Sequence, residues 1–122
     1  MKTLLSALVV IWGCMVPMAS PAQTNSCDQQ DSMPAIRRCL MDESNSHLEA
    51  VYGEVLARIA DQQARVALET SQAAFIDYRF RSCSAVFEAF RAFGWVADDH
   101  ATNCVTSLNR QREDFLLEFF ED

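Results

Sequence analysis

The chain has 122 residues, with 17 acidic and ten basic side chains and a net charge of −7 at neutral pH. A chain of this length forms one small domain with a modest core. Its negative charge argues against nucleic acids and anionic membrane surfaces as partners and favours basic proteins. There are only three glycines, and the sequence contains no glycine-rich phosphate loop and no alternating strand pattern.

The first 22 residues have the pattern of a bacterial signal peptide. Lys2 precedes an apolar run over residues 3–12, which is too short to span a bilayer. Ser20 and Ala22 suit positions −3 and −1 of a cleavage site. The sequence therefore predicts a signal peptide over residues 1–22, which is removed when the protein is exported to the periplasm or secreted.

The mature domain is predicted to cover residues 23–122. It retains nine arginines and all 17 acidic residues, so its net charge is −8. It contains no second apolar run long enough to cross a membrane. Cys14 gives an alternative to simple secretion, because bacterial lipoprotein signals end in a small residue followed by a cysteine just after the apolar run. In that alternative, a lipid on Cys14 anchors the domain.

Four cysteines remain once the signal peptide is removed. An even number of cysteines in a small exported domain predicts two disulfides. There is no CxxC motif, and the two histidines lie far apart in the sequence, so we predict neither a metal site nor a cofactor. The four cysteines are Cys27, Cys39, Cys83 and Cys104.

Apolar residues recur at helical spacing through most of the mature domain. A first helix is predicted from a cap at Asp31 or Ser32, with Pro34 in its first turn, to a turn over residues 61–63. Polar residues 44–46 interrupt its pattern and predict a kink or a break.

The second helix is predicted from about Ala64 to Phe93, and Gly94 ends it in a left-handed conformation. Residues 95–99 are predicted to form a connection, and Asp98 or Asp99 to cap a third helix. The expected fold is all-α, a small antiparallel three-helix bundle stapled by two disulfides.

An up-down-up bundle brings all four cysteines to one end. Cys39 and Cys83 lie at similar distances from the first turn, on opposite sides of it. The preferred pairing is therefore Cys39 with Cys83 and Cys27 with Cys104. The alternative, Cys27 with Cys39 and Cys83 with Cys104, remains open at this stage.

Long polar side chains fall on the apolar stripes of the predicted helices. Gln72 and Arg79 are seven residues apart with Phe75 between them, so they lie almost one above the other. Arg112 falls on the stripe of the third helix. Because a buried guanidinium must be paired, we interpret these residues and Tyr52 as a structural polar core, with a carboxylate or sugar site as the alternative. The candidate acidic partners are Glu49, Glu54 and Asp77.

Residues near the cysteine-rich end are the predicted contacts for a basic protein partner. Trp95, in the predicted connection, is a candidate interface anchor. No combination of nucleophile, base and orienting group is evident, so the chain is predicted not to be an enzyme. The candidate acidic contacts are Asp42, Glu43, Asp98 and Asp99.

Four motifs together resemble a known family. The most specific is Leu68-x3-Gln72-x2-Phe75-x2-Tyr78-Arg79-x3-Cys83. The chain resembles the LprI-like lysozyme-inhibitor domain, which is found in small exported bacterial proteins. The other three motifs are Cys27-x5-Met33-x5-Cys39, Leu48-x3-Tyr52-x3-Leu56 and Cys104-x3-Leu108-x3-Arg112-x3-Leu116.

The resemblance implies an all-helical, disulfide-stapled domain of the periplasm or the cell surface. It also implies an inhibitor of lysozyme or of a similar basic peptidoglycan hydrolase. The alternative function is an interaction or structural module of the bacterial envelope that has another protein partner and no catalytic activity.

Overall fold

The computed structural model describes residues 26–120, so the predicted signal peptide and Cys14 lie outside the described residues. Three long helices make up almost all of this part of the chain, and it contains no strand. None of these helices has the length and apolar character needed to cross a bilayer. The helices are α1 (Met33–Arg58), α2 (Gln62–Phe90) and α3 (Trp95–Phe120), with 3-10 turns at Cys27–Gln29 and Arg91–Phe93. The predicted all-α fold is confirmed.

Capping side chains define the starts of α1 and α2. The Oγ of Ser32 accepts a hydrogen bond from the backbone N–H of Ala35 at 3.3 Å, and Pro34 lies in the first turn of α1. The Oδ1 of Asp61 accepts from the N–H of Ala64 at 2.8 Å. Each cap satisfies an otherwise unpaired backbone donor and contributes about 1 kcal/mol. The second helix starts slightly earlier than predicted, because Asp61 caps it.

The predicted break at residues 44–46 is wrong, since α1 continues through them without interruption. The Nδ2 of Asn109 donates to Ser44 Oγ and to Asn45 Oδ1, both at 2.9 Å. Ser and Asn weaken helices when their side chains compete for the local backbone. Here these side chains bond instead to α3, so the backbone of α1 stays helical.

Gly94 has a φ of 63°, the positive value expected for the residue that separates the last two helices. However, α3 begins at Trp95, and the predicted connection over residues 95–99 is helical. The predicted cap at Asp98 or Asp99 is therefore wrong. Asp98 lies instead inside the first turn of α3, where the positive end of the helix dipole favours a carboxylate.

The preferred disulfide pairing is wrong and the alternative is the one found. Cys27 is bonded to Cys39, and Cys83 is bonded to Cys104. Cys39 and Cys83 do lie in the expected half of the bundle. In that half, however, α3 packs along both α1 and α2, and α1 and α2 are separated from each other. Equal height along two helices therefore does not bring their cysteines together. We call the end of the bundle that holds both bonds the disulfide end.

The apolar core fills the opposite half of the bundle, near the turn between α1 and α2. Phe115 and Phe119 share the predicted α3 stripe of Arg112 at helical spacing, but both are exposed and lie outside this core. The buried positions Thr102, Asn109 and Leu116 follow each other at intervals of seven, which return to the same helix face. The buried core cluster consists of Leu48, Val51, Val55, Leu68 and Leu116.

Candidate functional site

A groove runs between α1 and α2 at the disulfide end, with α3 as its floor. It comprises two adjoining cavities of about 590 and 500 Å³, which share Met41, Phe80 and Val105 in their linings. Phe87 and Ala101 add further apolar surface. We call this feature the α1–α2 groove, and its size and apolar lining are suited to receiving side chains of another molecule.

Cross-links to α3 hold the groove open on both sides. The Cys83–Cys104 disulfide joins α2 to α3. The Nε of Arg37 donates to Asp99 Oδ1 at 2.6 Å, and its Nη2 donates to the carbonyl oxygen of Trp95 at 3.5 Å. These two bonds join α1 to α3. Between Asn45 and the disulfide end, no hydrogen bond, ion pair or disulfide among the described residues joins α1 directly to α2.

Three of the predicted partner contacts lie together beside this groove. Trp95 is 68% exposed at the start of α3. Asp98 is exposed and lines the groove. Asp99 is half-buried and its carboxylate is engaged by Arg37. The acidic character of this corner therefore comes mainly from Asp98.

The two other predicted acidic contacts, Asp42 and Glu43, are exposed on α1. Glu43 lines a separate cleft of about 400 Å³ between α1 and α3, together with His47 and Glu113. The Nδ1 of His47 lies 2.9 Å from Glu113 Oε2. The structure thus places Glu43 and Asp98 in different clefts, so the four acids do not form one continuous patch.

Arg79 is held by amide side chains from the other two helices. Its Nη1 donates to Asn45 Oδ1 at 3.0 Å and to Asn109 Oδ1 at 2.6 Å, and Asn109 is fully buried. Burial lowers the pKa of Arg79, and the charge of Glu49 acts in the opposite direction. No carboxylate among the described residues forms an ion pair with Arg79: the candidate Glu49 acts only through its charge, and Asp77 pairs with Arg81.

Arg112 forms a second polar cluster with α2. Its Nε donates to Gln72 Oε1 at 3.0 Å and its Nη2 to Ser71 Oγ at 2.9 Å. Its guanidinium carbon lies 5.5 Å from the ring centroid of Phe75, within the range of cation–π attraction. Burial lowers the pKa of Arg112, while the charge of Tyr52 raises it. Burial also raises the pKa of Tyr52, and no hydrogen bond within the described part of the chain links Tyr52 to this cluster.

A family comparison identifies the domain. The family model described as Lysozyme inhibitor LprI matches residues 23–116. The chain belongs to the LprI lysozyme-inhibitor family. The match extends from before α1 to Leu116 in α3 and confirms the resemblance carried by the sequence motifs. LprI is a family of inhibitors and not of enzymes, which fits the prediction that the chain has no catalytic activity. Neither the curated proteins nor the solved structures give a match to this chain.

The two disulfides of this LprI domain fit an oxidising location outside the cytoplasm, because disulfides persist in exported proteins and are rare in the cytosol.

Sequence reasoning missed four side chains of the LprI domain that join its helices. Ser44 and Asn45 were interpreted as a helix break, and Asn109 was not singled out. The spacing of Asn109 offered one signal. It lies seven residues from both Thr102 and Leu116, so the three residues share one face of a helix. No comparable signal pointed to Arg37, since its partner Asp99 is 62 residues away.

Proposed function

We propose that the protein is an exported inhibitor that binds lysozyme or a similar basic peptidoglycan hydrolase in the periplasm or outside the cell. The observation that carries this proposal is membership of the LprI family over residues 23–116. In this proposal the signal peptide is cleaved after Ala22, and the helical domain over residues 23–122 acts without a cofactor.

The charge of the domain supports a basic partner. Residues 23–122 carry nine arginines and 17 acidic residues, which gives a net charge of −8. A field of this sign attracts a cationic protein and raises the rate of productive encounters. The attraction should weaken with added salt, because the Debye length falls to about 8 Å at physiological ionic strength.

We propose that the corner formed by Trp95, Asp98 and Asp99 contacts the hydrolase, with Asp42 and Glu43 as additional contacts. Trp95 and Asp98 are exposed there, and two disulfides lie at the same end. A corner stabilised in this way loses little conformational freedom on binding. Because interface energy concentrates in aromatic anchors, Trp95 is the side chain expected to contribute most.

A turbidity assay with lysozyme tests the proposal. The oxidised protein should slow the lysis of cell-wall suspensions, and more strongly at low salt than at high salt. Trp95→Ala and Asp98→Asn should weaken inhibition. Glu54→Gln is the matched control for Asp98→Asn, because it removes one negative charge from an exposed position near the other end of α1. Unchanged lysis at low salt with excess protein would sink the proposal.

The alternative function, an envelope interaction module without a hydrolase target, is favoured by one observation. The α1–α2 groove is largely apolar, and the charges that line it are of both signs. Such a surface suits an uncharged partner segment better than a cationic one. This alternative would be supported if the protein did not inhibit lysozyme and a specific partner bound in the groove.

A further inference from the structure

The α1–α2 groove is apolar in the middle and carries an exposed aromatic side chain on its wall. Phe80 lines both cavities and is 71% exposed. A phenylalanine ring this exposed beside an open apolar groove provides both a projecting group and a recess on one face of the molecule. Faces of this kind can be self-complementary, as two-fold symmetric contacts between identical chains require.

The charges around the groove nearly cancel, in contrast to the rest of the domain. Arg37 is paired with Asp99 at 2.6 Å, and Glu88 is paired with Arg91 at 3.3 Å. At the other end of the groove, Asp77 is paired with Arg81. This face is therefore where two chains of net charge −8 can approach each other with the least repulsion.

Two side chains at the groove make no ion pair within the described part of the chain, and they have opposite signs. They are Arg38 on α1 and Asp98 on α3, and both are exposed. In a two-fold symmetric contact, residue i meets residue j of the other copy and residue j meets residue i. Arg38 and Asp98 could thus form two equivalent ion pairs across one interface.

We propose that the α1–α2 groove is a homodimer interface, in which Phe80 of each copy enters the groove of the other and Arg38 pairs with Asp98 of the second copy. The groove is already open in the single chain, because between Asn45 and the disulfide end α1 and α2 are each tied to α3, and no bond among the described residues ties them to each other. Docking therefore requires no separation of helices, which lowers the cost of association. Asp98 is part of the corner proposed to contact the hydrolase, so dimerisation and hydrolase binding compete for this residue.

Sedimentation equilibrium of the oxidised protein, expressed from the full-length chain, tests this interface. The wild type should show a monomer–dimer equilibrium, and Phe80→Ser should raise its Kd by about tenfold or more. Phe119→Ser is the matched control, because Phe119 is similarly exposed (64%) but lies near the end of α3 that is remote from the groove. This control should leave the Kd unchanged.

A charge exchange tests the reciprocal ion pairs. Arg38→Asp should weaken the dimer, because it places two carboxylates opposite each other, and the double variant Arg38→Asp with Asp98→Arg should restore it. Circular dichroism should show full helicity in every variant. A wild type that stays monomeric at all concentrations overturns the proposal. The proposal is also overturned if Phe80→Ser leaves the Kd of the dimer unchanged, or if Phe119→Ser raises it.

Discussion

The Nε of Arg37 lies 2.6 Å from the Oδ1 of Asp99, and this bond joins α1 to α3 at the disulfide end. The two residues are 62 positions apart in the chain. The side chain of Arg37 is only 12% exposed and that of Asp99 is 34% exposed. A partly buried, hydrogen-bonded pair of this kind contributes more than a surface pair, because removing one partner leaves the other charge poorly solvated.

Replacing Arg37 with methionine is expected to lower the free energy of unfolding by about 1–2 kcal/mol. The loss follows from leaving the Asp99 carboxylate without its donor. Urea unfolding followed by circular dichroism measures it. Arg81→Met is the control, because Arg81 and Asp77 form a pair in which both side chains are mostly exposed; we expect a change within about 0.5 kcal/mol. Equal losses in both variants would contradict the role given to Arg37.

Arg79→Leu is expected to reduce stability by about 1–3 kcal/mol, because it removes the donor to Asn45 and Asn109. Relief of the desolvation that lowers the pKa of Arg79 offsets part of this loss. Thermal unfolding measures the loss. Arg110→Leu is the control, because it makes the same change at an exposed arginine of α3, and the difference between the two variants isolates the effect of burial. A fully stable Arg79→Leu variant that no longer bound its partner would show that Arg79 belongs to a binding site instead.

Ionisation of Tyr52 should lower the free energy of unfolding at alkaline pH. Burial raises its pKa in the folded protein, and Glu69 raises it further. Above a pH of about 10 the unfolded chain loses this proton first, so rising pH favours unfolding. The contribution of Tyr52 is present in full below that pH and is lost as pH rises through the folded-state pKa.

Tyr52→Phe should therefore reduce the decline in stability as the pH is raised above about 9. Urea midpoints measured at several pH values for the wild type and this variant provide the comparison. Tyr78→Phe serves as the control, because the ring of Tyr78 is exposed. Parallel declines in the wild type and in Tyr52→Phe would show that other groups cause the alkaline loss.

Peptide mapping without reduction should recover Cys27 linked to Cys39 and Cys83 linked to Cys104. The two bonds separate their cysteines by 12 and 21 positions, so the loop-entropy estimate for each is about 3 kcal/mol. Paired Cys→Ser replacements should thus cost similar amounts of stability.

The two paired Cys→Ser replacements should differ in their local effects. Only removal of Cys83–Cys104 frees α2 from α3 beside the groove, so amide exchange should increase there. Recovery of a peptide containing Cys39 linked to Cys83 would contradict this description of the groove.

Local features of this protein could be predicted from its sequence. The cap at Ser32, the turn near Asp61 and the positive φ at Gly94 each depend on residues within a few positions of one another. Helical periodicity depends on spacing alone, and an even cysteine count in an exported chain is enough to predict two disulfides. The motif from Leu68 to Cys83 was sufficient to suggest the family that the comparison then confirmed.

Only the tertiary structure decided how the three helices face one another. The pairing of the cysteines depends on α3 packing along both other helices, and no spacing along the chain encodes that arrangement. The continuity of α1 through Ser44 and Asn45 depends on Asn109, whose orientation follows from the rotation of α3 about its axis. The same rotation exposes Phe115 and Phe119 and buries Asn109. The groove exists because α1 and α2 are each tied to α3, a consequence of contacts between residues far apart in sequence.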